Sequence, residues 1–174
     1  MPNWCYNSMK ITGTISEITR LKQTCIRTDE NKQAQLDFSA IVPLPEGGWA
    51  REHWGTKWNA SDFRVTVDAP GCYEFHFYTA WTPPVPVWEK MAKMFPALEF
   101  SLSGVDEQSD FAFEGTIQDG KLELWDAPVI WTITDPKTGE TISGPRAQIE
   151  PLLREESFLS VRAGKANEID GERQ

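Results

Sequence analysis

Side chains suited to proton transfer are few in this chain. There are two histidines, His53 and His76. His76 stands two residues after Glu74 and four after Cys72, inside a run where apolar and polar residues alternate. A Glu–His pair can exchange protons, and a thiolate beside an imidazole can act as a nucleophile. In an extended strand, however, positions four apart share a face but lie about 13 Å apart. That is too far for a shared metal or a Cys–His pair, unless Cys72 sits in a turn and bends back. No H-E-x-x-H, G-x-S-x-G or G-x-x-x-x-G-K-[ST] pattern occurs. Asp106-Glu107-Gln108-Ser109-Asp110 lacks the spacing and glycine of a calcium loop. The chain is therefore read as a non-enzyme, with no catalytic residue, no metal and no cofactor.

Chemistry for binding is better represented. His53, Trp54, Lys57 and Trp58, with Trp81 further on, place a cation among indoles. That set is either a recognition pocket, with Lys57 as a cation site or anion hook, or a loop stapled to the core by its own tryptophans. Tyr6, Lys10, Arg64, His76 and Tyr78 fall on one parity of three alternating runs. They should share the sheet face away from the helices, the face that RNA-recognition modules use for stacking. Lys10 and Arg64 are balanced there by Glu74 and Glu99, and no basic run accompanies them. A solvated or covered face is the favoured reading, with single-stranded nucleic acid as the alternative. Asp106, Glu107, Asp110, Glu114, Asp119, Glu123 and Asp126 form an acidic segment. It is either a solubilising face or a negative surface for a basic partner.

Composition sets the frame. The chain has 174 residues and a formal net charge of -9, which disfavours a general polyanion binder. The imbalance lies in the second half: residues 1–87 hold 8 basic and 9 acidic residues, residues 88–174 hold 9 and 17. Three cysteines at wide spacings do not suggest a disulfide framework, and reduced thiols in a cytoplasmic protein are expected. The opening residues do not read as a signal peptide, and no apolar run is long enough to span a bilayer.

These groups must be positioned by recognisable elements. Residues 5–11 alternate as a strand ended by Gly13. Thr14 and Glu17 have capping-box spacing, and Ile18, Leu21 and Cys25 predict a helix over about 15–28. Leu36 to Val42 reads as a short extended segment. The Gly-, Pro- and Trp-rich stretch 43–61 reads as a long loop. Phe63–Val67 and Tyr73–Thr79, around Pro70-Gly71, predict a hairpin whose Phe63, Val65 and Val67 share one face. Thr82-Pro83-Pro84 opens a second helix carrying Trp88, Met91 and Phe95, which stops before Pro96. Leu98, Phe100 and Leu102 form the next strand. Strand, helix, strand, strand, helix, strand is the split βαβ order of the ferredoxin-like plan, an antiparallel sheet with two helices on one face. Beyond it come Phe111 and Phe113, a turn at Asp119-Gly120, strands through Ile133 and Ile142, and a short helix from about Gly144 to Arg154.

Met1-Pro2-Asn3-Trp4-Cys5-Tyr6-Asn7 with Lys10-Ile11-Thr12-Gly13, then Trp54-Gly55-Thr56-Lys57-Trp58, then Thr79-Ala80-Trp81-Thr82-Pro83-Pro84, form three motifs in order. Together they resemble the YubB / Api92-like family of phage and plasmid proteins, and Phe111-Ala112-Phe113-Glu114-Gly115 resembles that family's next landmark. The resemblance covers residues 1–118. It implies a mobile-element origin and a ferredoxin-like domain, and supplies no reaction. The expected organisation is a ferredoxin-like domain over 1–118, a β-rich extension over 119–161 and a flexible tail over 162–174. The expected function is binding of a host macromolecule through the acidic surface, as in inhibition of a defence or DNA-handling complex. The partner would be a host protein or ribonucleoprotein with a basic surface, in the host cytoplasm and away from membranes, with nucleic acid disfavoured as direct ligand. A small-molecule pocket or enzyme at the Trp-rich loop is the other alternative.

Overall fold

Period two in the first motif becomes β1 (Trp4–Thr12), which buries Cys5, Asn7, Met9 and Ile11 and leaves Tyr6, Ser8 and Lys10 on the other face. The structure is a computed structural model that describes residues 3–28, 33–134, 138–149 and 160–164. After β1 the chain forms α1 (Ile15–Cys25), β2 (Ile26–Thr28), β3 (Ala34–Leu36), α2 (Phe38–Ile41), α3 (Ala50–Trp54), β4 (Ser61–Ala69), β5 (Cys72–Ala80), α4 (Val85–Met94) and β6 (Glu99–Asp106). There follow β7 (Ala112–Gln118), β8 (Lys121–Ala127), β9 (Ile130–Thr134), β10 (Thr141–Pro145), α5 (Arg146–Ile149) and β11 (Ser160–Gly164).

One antiparallel sheet runs β4-β5-β1-β6-β7-β8. Its first four strands, with α1 and α4 on one face, are the ferredoxin-like fold expected from the element order. Strands β7 and β8 continue the same sheet through Asp119-Gly120, whose φ values of 51° and 74° suit a two-residue hairpin turn. The sheet thus runs past residue 118 to Ala127. Beyond it β9, β10 and β11 form a second, three-stranded sheet in the order β10-β9-β11, with Ile133 and Ile149 fully buried.

The core lies between the sheet and its helices. Met9, Ile11, Phe75, Phe77 and Phe100 from the strands meet Leu21 from α1 and Trp88 and Met91 from α4. Thr14 caps α1 by accepting the Glu17 N–H at 3.3 Å, the spacing anticipated. A polar thread crosses the core: buried Asn7 donates to the Cys5 carbonyl and to the hydroxyl of buried Thr79, both at 2.9 Å, and Thr79 Oγ1 donates to the Thr82 carbonyl at 2.8 Å.

Four local expectations need correction. The first helix stops at Cys25, because Ile26 takes extended backbone and pairs with Leu36 in a small two-stranded sheet. Residues 38–41 are helical rather than extended, because Asp37 caps them by accepting the Ser39 N–H at 3.0 Å and Asn59 accepts the Phe38 N–H at 2.9 Å. The loop 43–61 contains α3, closed by Gly55 in the left-handed region at φ 77°. In β4 the register shifts after Ser61 and after Val65, so Phe63 packs on Phe75 at 4.9 Å and Val65 lies opposite Phe75, while Val67 comes opposite Glu74 and the three do not share one face. The helix expected through Arg154 is described to Ile149, and residues 150–154 lie outside the described residues. β11 takes strand structure to Gly164, inside the stretch read as a tail.

Burial fixes the state of three titratable core groups. It pushes the Cys5 and Cys25 thiols up to about 12, with Asp106 adding to the effect at Cys5, and raises the Tyr73 hydroxyl to about 12 as well. All three shifts favour the neutral form, so their contribution to stability is complete below the unfolded values of 9.0 and 10.0 and is lost as pH rises towards 12. Melting curves are expected to move to lower temperature from about pH 9 upward. A thiol reagent at neutral pH should modify half-buried Cys72 and reach Cys5 and Cys25 only on unfolding. Fast modification of all three would contradict the burial.

Candidate functional site

The face of the sheet away from the helices is built by the pairing of β1 with β5. Tyr6 lies opposite Tyr78, Ser8 opposite His76, and Lys10 opposite Glu74. The next strand brings Arg64 opposite His76. The aromatic members touch in series. Tyr6 is 5.5 Å from His76 and 5.6 Å from Tyr78, Tyr78 is 6.4 Å from Trp4, and Trp4 is 5.8 Å from Trp58, centroid to centroid. All five rings are half-buried. None of the four contacts is a parallel stack, since the interplanar angles run from 37° to 80°.

Trp58 joins this row because the segment carrying it is docked on the end of β5. The Thr56 hydroxyl donates to the Ala80 carbonyl and accepts the Ala80 N–H, each at 3.0 Å. The Thr82 hydroxyl donates to the Gly55 carbonyl at 2.6 Å. On its other side, Asn59 accepts the Ala60 N–H at 3.0 Å and Gln35 donates to the Ala60 carbonyl at 3.0 Å. Trp4 is clamped at its backbone: its N–H donates to Glu107 Oε2 at 3.0 Å and its carbonyl accepts the Glu107 N–H at 2.7 Å.

Two cations flank the Trp58 end. Lys57 Nζ lies 5.2 Å from the Trp58 ring and 5.3 Å from the Trp81 ring, and the Arg51 guanidinium lies 5.6 Å from Trp81. Trp81 is 38% exposed. Its backbone has φ 69°, a left-handed conformation rare for a bulky residue, and its N–H donates to the Asn3 carbonyl at 2.8 Å. Among the described residues neither Lys57 nor Arg51 has a carboxylate partner, whereas Arg64 is paired with Asp62 at 3.1 Å.

The residues expected to line a loop pocket therefore divide. Lys57, Trp58 and Trp81 meet, as an exposed cluster continuous with the open face. Trp54 points the other way: it packs on Phe38 at 5.7 Å, and its Nε1–H donates to the Val42 carbonyl at 2.8 Å. Burying a tryptophan removes about 150–250 Å² from water, roughly 4–6 kcal/mol at about 25 cal/mol per Å², and satisfying its N–H at Val42 removes the penalty. The core therefore wins Trp54. His53 is half-buried on α3. A cavity of about 280 Å³ opens elsewhere, between Thr82, Pro83, Phe113, Leu124, Trp125 and Asp126, and none of the five loop residues lines it.

The seven acidic candidates are also separated. Asp106 is 4% exposed, and its carboxylate accepts the backbone N–H groups of Asp110 at 2.5 Å, Gln108 at 3.2 Å and Phe111 at 3.3 Å. It is a buried turn cap and not a surface charge. Glu107 and Asp110 lie in that turn, and Asp119 lies in the β7–β8 turn. Glu114 and Glu123 share the open face, opposite Trp125 and Thr116, while Asp126 pairs with Phe113 on the helix side.

Sequence reasoning missed Trp4 and Arg51 as parts of this site. Trp4 shares parity with Tyr6 and Lys10 and was legible from period two. Arg51 meets Trp81 only because of the unusual backbone at Trp81, which no pattern announces. Among the described residues no group of three or more His, Cys, Asp or Glu side chains could hold a metal ion, and no helix is long and apolar enough to cross a membrane.

No curated protein matches the chain. A crystal structure of a protein api92 from Yersinia pseudotuberculosis is similar in fold, with a TM-score of 0.57 at 8% identity, covering 73% of this chain and 99% of that one. The family described as a ferredoxin-like domain in Api92-like protein matches residues 53–128, which run from α3 to the end of β8. Residues 53–128 thus resemble the ferredoxin-like domain of Api92-like proteins, and the fold, completed by β1 and α1 from outside that range, is similar to that of the api92 structure.

Proposed function

We propose that the chain is a binding protein without a reaction of its own, encoded by a mobile element, whose host ligand seats on the aromatic face at the Trp4 end of the sheet. The observation that carries this reading is the unbroken row Trp58–Trp4–Tyr78–Tyr6–His76, half-exposed and flanked by Lys57 and Arg51. A protein core buries such rings. A surface that keeps five of them partly open, and anchors them by backbone clamps on both sides, is built for contact. The absence of a reaction is supported by the placement of His76, whose ring faces Tyr6, and by the burial that holds Cys5 and Cys25 as thiols. The dispersal of the acidic residues shifts the reading away from one acidic docking surface and towards this face.

The test is capture from bacterial lysate by immobilised protein, comparing the native chain with Lys57→Glu and Tyr78→Ala. Both substitutions alter partly exposed side chains, so melting temperature and circular dichroism should change little. Captured material is expected to fall about tenfold or more, the effect of losing one strong contact of roughly 1.4 kcal/mol. Equal capture by all three proteins would reject the face as the site.

A further inference from the structure

We infer that the ligand of this face is a short stretch of single-stranded nucleic acid, bound mainly by stacking. The inference rests on the reading of the aromatic row as a binding surface and adds the chemistry of what it binds. Each ring of the row meets its neighbour at a tilt or edge-on, so the rings do not cover one another in a parallel stack. Trp4, Trp58, His76 and Tyr78 each keep part of their surface exposed, against which planar groups can lie. Two cations without a carboxylate partner among the described residues stand close together at the Trp58 end, Lys57 between Trp58 and Trp81 and Arg51 on Trp81, while the Glu107 carboxylate at the Trp4 end is engaged by the Trp4 N–H. Planar groups joined by regularly placed negative charges match that combination, and this is the chemistry of an unpaired polynucleotide. A duplex hides its base faces within its own stack and offers the row nothing to lie on.

Charge also limits the footprint. Across the face Arg64 is tied to Asp62, and Lys10 stands opposite Glu74. Further along, Glu114 and Glu123 occupy the same face on β7 and β8. Phosphates are welcome near Lys57 and Arg51 and repelled towards β8. The bound segment therefore follows β1 and β5, and it neutralises only one or two phosphates. This distinguishes the surface from a general polyanion binder and reconciles it with a net charge of -9. Affinity should fall with salt at a slope of only about -0.7 to -1.4 in log K against log salt, the value for one or two phosphates on a single strand.

The experiment is titration of the full chain with oligothymidylates and oligouridylates of graded length, a matched duplex and the mononucleotide, read by tryptophan fluorescence. Trp4 and Trp58 lie in the row, so quenching should accompany binding. The expected result is binding that strengthens with length over the first few nucleotides and then levels, with the duplex and mononucleotide much weaker. Tyr78→Ala should weaken it by about 5- to 150-fold, the stacking of one base, while Tyr78→Phe, which keeps the ring, should bind as the native chain does. Lys57→Gln should reduce the salt slope by about 0.7. Oligonucleotide binding untouched by Tyr78→Ala and Lys57→Gln would place nucleic acid elsewhere and overturn the inference. Equal affinity for mononucleotide and strand would overturn it in favour of a small ligand. If no oligonucleotide binds, yet lysate capture still depends on Lys57 and Tyr78 and survives nuclease, the strand is excluded while the face remains the site, with a protein as occupant. If capture is also insensitive to those residues, the face itself is rejected.

Discussion

Gly104→Ala should lower the melting temperature by more than any other single-methyl change in the sheet, or prevent folding altogether. Gly104 lies on β6 opposite Asn7 of β1 and Phe113 of β7. A Cβ at this position would stand 2.3 Å from the Tyr6 carbonyl oxygen and 2.4 Å from Phe113 Cζ. Neither neighbour can give way. The Tyr6 carbonyl belongs to the central strand, and the Phe113 ring is packed on buried Trp88 at 5.6 Å. Overpacking a core typically costs about 1–3 kcal/mol. Here the obstacle includes backbone, so a loss of about 3 kcal/mol or more is expected, a fall of roughly 6–12 °C in a domain of this size. Ser103→Ala, its neighbour on the opposite face, should change stability by about 0.5 kcal/mol or less. Thermal melts of the two variants decide the matter. A Gly104→Ala protein that melts with the native chain would mean the β1–β6 ladder is far more yielding than its pairing indicates.

Asp106→Ala carries the second large effect, and it reaches the binding face. Its carboxylate is the acceptor for three backbone N–H groups in the turn from Asp106 to Phe111. Removing it leaves those donors without their partner, at about 1–3 kcal/mol for each that stays buried. A loss of about 3 kcal/mol or more is expected, with Asp106→Asn intermediate because its amide oxygen can still accept. The same turn holds Glu107, which makes both backbone contacts to Trp4. In whatever fraction remains folded, Trp4 should lose its anchorage and ligand affinity should drop, although Asp106 touches no ligand. Denaturant unfolding and fluorescence titration of both variants provide the check. Native-like stability of Asp106→Ala would show that solvent replaces the carboxylate.

The four-stranded frame was legible because its signals are local. The alternation in β1 and β5, the Thr14 cap and the Trp88–Met91–Phe95 stripe each declare an element within a dozen residues. What escaped depends on tertiary choice. Ile26 leaves the helix because Leu36 offers a strand partner, and α2 forms because Asn59, far along the chain, completes its cap. The site follows the same division. Tyr6, His76 and Tyr78 could be placed on one face by parity alone. That Trp58 joins them while Trp54 turns inward depends on Thr56 docking at Ala80 and on the Val42 carbonyl, neither of which has a sequence signature. Asp106 looked like its acidic neighbours until the turn closed around it.

The central place of β1 in the sheet sets an order of events in folding. Both of its neighbours come late: Asn7 meets Thr79 across 72 residues, and Trp4 meets Glu107 across 103. Until β5 is available this strand has a buried apolar parity and nothing to bury it against, and until β6 is available its second edge is open. Closing such distant pairs sacrifices chain entropy before any contact repays it, so folding should be slow for the size of the chain, in the millisecond to second range typical of non-local β topologies. On the ribosome β1 emerges before β5 and β6 and must wait for both. Its exposed Met9, Ile11 and Trp4 are then the natural contacts for a chaperone, and slower initiation or lower temperature, by keeping fewer waiting chains in solution at once, should raise the yield of native protein.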